Sequence, residues 1–336
     1  MKNLKKAAAL LLAAMMMMAC AAGCGSKEAE TNAPAENAPE TERVYQVGIC
    51  QFVQHEALDQ ATEGFKDALS SVLGGRVEFD EQNASGDAPV CATIANQFVA
   101  SNIDLILANA TPALQACANA TTTIPILGTS ISDYGTALSL DMGATDPTGI
   151  NVTGTCDLAP LSKQAEQLTA LFPEAKKIGI LYCSAEANSK FQADSMRALL
   201  EKKGLTVEDY TFTDSNDMQA VSTAAVENSE VIYVPTDNTV ASNGSILDNI
   251  ASTAKVPIVA GEENTCLAVG GVATLSINYY DLGYQTGEMA ADILVNEVDP
   301  GTVNVQMAKQ VTFKYLPEAA EAYGVNIPKN YIALEK

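Results

Sequence analysis

The sequence predicts an α/β protein of two doubly wound parallel-sheet lobes joined by a hinge, and three observations carry that prediction. Short apolar runs alternate with helical patterns from residue 45 onward, the pattern of parallel strands joined by right-handed crossovers. The order of elements is then replayed: Ile49 answers Ile180, Leu105 answers Val231 and Pro125 answers Pro257, at offsets of 131, 126 and 132 residues. Finally, LILANATPALQACANA (105–120) and VIYVPTDNTVASNGSILDNIA (231–251) both run from an apolar strand through a polar corner into a helix.

The first copy opens with the strand YQVGICQF (45–52). In the following helix (55–74), Ala57, Leu58, Ala61, Phe65, Ala68, Leu69 and Val72 recur at helical spacing. RVEFDEQNA is a strand, APVCATIANQFVASN a helix and IDLILANA a strand. TPALQACANATTT is a helix with Pro112 near its start, where a missing N–H costs nothing, and IPILGTSI is the last strand of this copy. The second copy reads KKIGILYC as strand, NSKFQADSMRALLEKKG as helix stopped by Gly204, and LTVEDYTF as strand. DMQAVSTAAVENS is a helix, EVIYVPTD a strand, TVASNGSILDNIASTAK a helix, and VPIVAGEE completes the set. Two copies of one unit explain why the polar corner is built twice. Ligands in such sheets sit beyond the carboxyl ends of the strands, over helix N-termini, so two facing corners make a cleft.

The N-terminus has its own logic. Residues 1–23 carry three lysines, then an apolar run from Ala7, then small residues. These are the three regions of an export signal, and the run is too short for a comfortable membrane span. AAGCGS is similar to a bacterial lipobox, which makes Cys24 the expected lipidation site, with Cys20 as the alternative. Residues 24–43, rich in Ala, Glu, Pro and Thr, form a flexible tether. Loss of 1–23 moves the formal charge from -22 to -25. Such acidity argues against nucleic-acid or anionic-membrane binding, which needs clustered Lys and Arg, so membrane attachment is expected through the lipid alone. The six remaining cysteines, Cys50, Cys91, Cys117, Cys156, Cys183 and Cys266, form no C-x-x-C and read as buried free thiols.

Catalysis finds little support. The single histidine, His55, provides no His-rich metal site, and no Ser-His-Asp triad is expected of it. HEALD (55–59) has Asp59 where a zinc motif needs its second histidine. No P-loop, G-x-G-x-x-G or G-x-S-x-G occurs. No metal, no cofactor and no enzymatic activity are expected.

Several stretches together resemble a known family: VGICQFVQHEALD (47–59), DLILANATPALQA (104–116), EANS (186–189), PTDNTV (235–240) and INYYDLGYQTGEMAADIL (277–294). The chain resembles the ABC-importer substrate-binding lipoproteins of the tryptophan/tyrosine type, on a type I periplasmic-binding-protein fold. One departure is CSA (183–185), where that family usually has an Asn-Pro-Gly-like turn. The resemblance implies hinge crossings near 151–155, 275–278 and 301–305. Lobe one would then comprise 44–153 and 278–302, and lobe two 154–277 and 303–336. It implies a monomeric, extracytoplasmic receptor that captures an amino-acid-like, aromatic solute and presents it to an ABC permease. A sugar or nucleoside receptor, or a sensor feeding a signalling partner, is the alternative; zero tryptophans weaken the sugar case.

By position at strand ends, the cleft should take Gln51, Phe52, Thr111, Ser130 and Asp133 from one lobe. From the other it should take Asn188, Ser189, Thr236, Asp237, Asn238 and Glu262. Only three arginines exist, Arg43, Arg76 and Arg197, and none is expected at a strand's carboxyl end. A ligand carboxylate would therefore be held by helix N-termini and hydroxyls. Asp237, with Glu262 or Asp133, would accept an ammonium. Several of these residues precede helices, where they also serve as caps. Phe52 and Tyr280 read equally as walls for an aromatic ring or as ordinary packing, and His55 as a local hydrogen-bonding residue.

Overall fold

A computed structural model describes residues 43–335. The signal segment, Cys24 and the tether up to residue 42 lie outside the described residues. In the first half β1 (Tyr45–Gln51), α1 (Glu56–Leu73), β2 (Val77–Asn83), α2 (Ala88–Ala100) and β3 (Leu105–Asn109) are followed by α3 (Thr111–Ala120), β4 (Ile126–Ile131), α4 (Tyr134–Leu138) and β5 (Val152–Cys156). The second half repeats the scheme with α5 (Leu161–Leu171), β6 (Lys177–Cys183), α6 (Ala187–Lys202), β7 (Thr206–Phe212), α7 (Ser215–Asn228) and β8 (Val231–Val234). It continues through α8 (Asn238–Ser242), α9 (Gly244–Ala254), β9 (Ile258–Ala260), α10 (Glu263–Ala268) and β10 (Ala273–Ser276). A tail of α11 (Tyr279–Asn296), β11 (Gln306–Met307), β12 (Thr312–Tyr315), α12 (Pro317–Ala322) and β13 (Ile332–Ala333) follows.

Two sheets result, with strand orders β11-β5-β4-β3-β1-β2 and β13-β12-β10-β9-β8-β6-β7. Apart from the antiparallel β10–β12 pair, all neighbours run parallel. Reading β1 to β5 against β6 to β10, the order 2-1-3-4-5 is the same in both sheets, as the repeat in the sequence required. β3 is buried at every position, which is why it reads as an unbroken apolar run rather than an alternating one. The edge strand β2 carries Glu78, Asp80 and Glu81, all partly or fully exposed, charges that discourage pairing with another chain.

The chain passes between the sheets at 157–160, 277–278 and 308–311. The first and third of these differ from the expected crossings because β5 stays paired with β4 as far as Cys156 and β11 pairs with β5; the first sheet therefore runs past the boundaries expected at 153 and 302. Helix α11 packs on α1 of the first lobe. Their backbones touch, since a Cβ on Gly283 would lie 1.9 Å from Ala61 O and one on Gly64 would lie 2.1 Å from Tyr280 O.

Two local expectations change. Val72 is 52 % exposed and Leu73 takes its place on the buried face of α1. The single helix expected over 239–255 breaks at Asn243 into α8 and α9. Gly244 there lies against Ala268, whose backbone carbon would be 2.8 Å from a side chain at that position. The six cysteines of the body are free and buried.

Candidate functional site

The carboxyl ends of both sheets face one narrow cleft. From the first lobe it takes Ser130 and Ser132 at the end of β4 and His55, Ala57 and Leu58 at the start of α1. From the second it takes Asn188, Thr236, Asp237, Asn238, Ala241, Glu262 and Thr265; Asp157 and Tyr279 join it from the crossings. The backbone is bent to expose the first-lobe groups. Ser130 has φ 57° and Ala110, before α3, has φ 86°, conformations that side-chain-bearing residues hold only where surrounding structure enforces them.

Six of the eleven residues expected from the sequence line this cleft: Ser130, Asn188, Thr236, Asp237, Asn238 and Glu262. The other five are not among its lining residues. Gln51 turns its amide onto α1, donating to Asp59 Oδ1 at 2.6 Å and accepting from Thr62 Oγ1 at 2.7 Å. Phe52 is buried in the first-lobe core. Thr111 is buried at the start of α3 with no partner for its hydroxyl. Asp133 caps α4 by accepting from Thr136 N at 2.7 Å. Ser189 is fully buried and accepts from Asn188 Nδ2 at 3.3 Å. Tyr280 donates to Asp67 on α1 at 2.9 Å, and its neighbour Tyr279 takes the place in the cleft.

The two carboxylates expected to receive an ammonium also serve the backbone. Asp237 accepts from Val240 N at 2.8 Å, capping α8, and from Cys183 N at 2.7 Å, fastening that helix to β6. Glu262 caps α10 through the N–H groups of Asn264 and Thr265. Beside them Glu186 accepts from Asn238 Nδ2 at 2.6 Å, from Asn238 N at 3.2 Å, and from the N–H and hydroxyl of Thr239 at 2.9 and 2.8 Å. Asp157 accepts from Ser132 Oγ at 2.9 Å and Tyr279 OH at 3.0 Å. Burial raises these carboxyls: Asp157 to about 6, Glu262 to about 7, and Asp237 upward as well, helped by the adjacent Glu186. No Lys or Arg lines the cleft, so its field favours a cation. The nearby Cys183 thiol is pushed up to about 11 by burial and is a poor nucleophile.

Among the described residues two direct hydrogen bonds cross from lobe to lobe. His55 Nε2 meets Asn238 Oδ1 at 3.1 Å, and Gln192 Nε2 donates to Ser132 Oγ at 3.0 Å. Among the described residues three buried atoms on residues of the cleft have no partner: His55 Nδ1 and Ser130 Oγ from one lobe and Asn188 Oδ1 from the other. His55, Asp157, Tyr279, Thr265 and Gln192 were not among the residues expected in the site. The first could have been found as the only histidine, sitting at a helix start. The others follow a strand or lie inside a helix and carry no local signal.

Two parallel-sheet lobes meeting over one cleft lined by polar residues of both define a solute-binding protein of the periplasmic type. Residues 46–335 match the family model described as ABC transporter substrate binding protein, and the chain belongs to that family. It is 35% identical over 278 residues to the tyrosine-binding protein of Clostridioides difficile, covering 81% of this chain and 79% of that one. Among solved structures it is similar to an ABC domain in complex with L-Trp from Streptococcus pneumonia, with TM-score 0.80, 33% identity, and coverage of 85% of this chain and 96% of that one. It is also similar to the ligand-free, open structure of a substrate-binding protein with adhesive properties from Clostridium difficile, with TM-score 0.66, 36% identity, and coverage of 87% and 100%. Leucine-binding LivK from Thermotoga maritima shares the fold at 13% identity and TM-score 0.59, over 75% of this chain and 83% of that one. Among the described residues no helix is long and apolar enough to cross a membrane.

Proposed function

We propose that this protein is the receptor of an ABC importer, held outside the cytoplasmic membrane by a lipid on Cys24, and that it captures an aromatic amino acid by closing its lobes. The observation that carries the reading is the set of three partnerless polar atoms, contributed from both lobes by residues that line one cleft. An unsatisfied buried polar group costs about 1–3 kcal/mol, so a ligand supplying the missing partners stabilises the closed arrangement. The polar groups of the cleft, donors and acceptors drawn from both lobes, suit one amino acid. The acidic lining suits its ammonium. The higher similarity to the L-Trp complex than to the ligand-free open relative supports a closed form here, with the three crossings as the hinge. The monomeric state and the permease partner belong to the same reading.

Calorimetric titration with L-tryptophan, L-tyrosine, L-phenylalanine, L-leucine, galactose and adenosine tests it. Tightest binding should come from an aromatic amino acid; tighter binding of the sugar or nucleoside overturns the reading. For the anchor, Cys24→Ala should leave the membrane fraction, and its retention there, with Cys20→Ala released instead, would move the lipid to Cys20.

A further inference from the structure

We propose that His55 selects the ligand, its Nδ1 acting as an acceptor for one N–H or O–H donor of the bound aromatic amino acid, with that acceptor character imposed by the opposite lobe. The inference rests on the function proposed above and follows from a chain of hydrogen bonds. The Glu186 carboxylate accepts from Asn238 Nδ2 at 2.6 Å, which fixes which end of the Asn238 amide faces it. The other end, Oδ1, can only accept, and it lies 3.1 Å from His55 Nε2. The proton of the imidazole must therefore sit on Nε2.

A neutral ring with its proton on Nε2 leaves a lone pair on Nδ1. That atom is buried, has no partner, and belongs to a ring that lines the cleft. The ring is kept neutral because burial lowers its pKa, outweighing the opposite pull of the Asn238 hydrogen bond, then of Glu186 from the second lobe and of Asp59 and Glu56 beside it. Asn238 lies across the cleft from His55, so opening the lobes frees the ring to take either tautomer. Closure thus fixes the acceptor as it encloses the ligand. A site built this way discriminates strongly against an analogue lacking the donor, because the buried acceptor is then left unpaired.

The donor can be a side-chain group, phenol or indole, or the ammonium, and ligand analogues separate the two. The purified protein and His55→Phe are titrated with L-tyrosine, L-phenylalanine and 3-(4-hydroxyphenyl)propanoate, which lacks the ammonium. A side-chain donor predicts a loss of about ten- to hundredfold for L-tyrosine on substitution, with little change for L-phenylalanine. An ammonium donor predicts an equal loss for the two amino acids and none for the propanoate. The chain contains one histidine, so nitrogen-15 NMR of the L-tyrosine complex of the unsubstituted protein reads the tautomer directly, and the proton should be on Nε2. An equal loss for all three ligands, or a proton on Nδ1, would sink this inference alone. If none of the amino acids binds the unsubstituted protein, the proposed function fails and takes this inference with it.

Discussion

Ser132 of the first lobe and Gln192 of the second are joined directly, Gln192 Nε2 donating to Ser132 Oγ at 3.0 Å. Ser132 Oγ donates a hydrogen bond to Asp157 Oδ1 at 2.9 Å, and Tyr279 OH donates to the other oxygen of that carboxylate at 3.0 Å. Gln192 Oε1 in turn accepts from Thr236 N at 3.1 Å. One buried network thus ties a helix of the second lobe to a strand end of the first and to Asp157 and Tyr279 at two of the three crossings.

Gln192→Leu keeps the volume but removes the cross-lobe bond and strips Thr236 N of its partner. The net worth of such a bond is about 1–2 kcal/mol, so ligand affinity should fall roughly five- to thirtyfold. Calorimetry measures the loss, and an unchanged affinity would show that the bond does not stabilise the closed form.

Stability should fall as the pH rises. Asp157 and Glu262 stand at about 6 and about 7 against ordinary values of 3.8 and 4.5, and Asp237 is also raised. The folded state holds these protons more tightly than the unfolded chain, so the stabilisation is complete below the ordinary values of 3.8 and 4.5 and is lost progressively as pH rises from there through about 6 to 7. For Asp157 the change corresponds to roughly 3 kcal/mol. His55, lowered by burial, works in the opposite direction below pH 6.5, but it is one group against three. Thermal melts of the ligand-free protein should therefore show a higher midpoint at pH 5 than at pH 8, with a smaller difference in Asp157→Asn. A midpoint rising over that interval contradicts the assignment.

Asp237→Ala removes a helix cap and leaves the N–H groups of Val240 and Cys183 without their acceptor. The ligand-free protein should lose about 1–3 kcal/mol, with partial recovery in Asp237→Asn, whose remaining oxygen can still cap α8. Chemical denaturation measures this. If stability is unchanged while affinity drops, Asp237 serves the ligand and not the helix.

Gly283→Ala forces a methyl group against Ala61 O at the seam of α1 and α11. The obstacle is backbone and cannot rotate away, so the helices must part. Overpacking of this kind costs about 1–3 kcal/mol or more, and the midpoint of denaturant unfolding should fall accordingly. A neutral result would mean that the seam is looser than its geometry.

The strands and helices of both repeats were legible because apolar spacing reports which face of an element is buried, as with the stripe Leu58, Ala61, Phe65 and Leu69 on α1. The polar corners were legible because residues such as Asp237 and Glu262 stand where a strand ends and a helix begins. That position placed six residues in the cleft. It failed for Gln51, Phe52 and Asp133, which occupy the same kind of position but turn towards α1, the core and α4. Backbone position is local, whereas side-chain direction is set by what packs against it.

From the amino acids alone came the α/β class, the doubled unit and the place of the cleft, because periodicity, turn chemistry and strand-end geometry act over a few residues at a time. Only the tertiary structure decided that Asp157 and Tyr279 meet from crossings 122 residues apart, that Gln192 reaches Ser132 across the cleft, and that Asn238 sets the proton of His55. Those relations depend on how two separately folded sheets are held against each other, and no short stretch of the chain contains both partners.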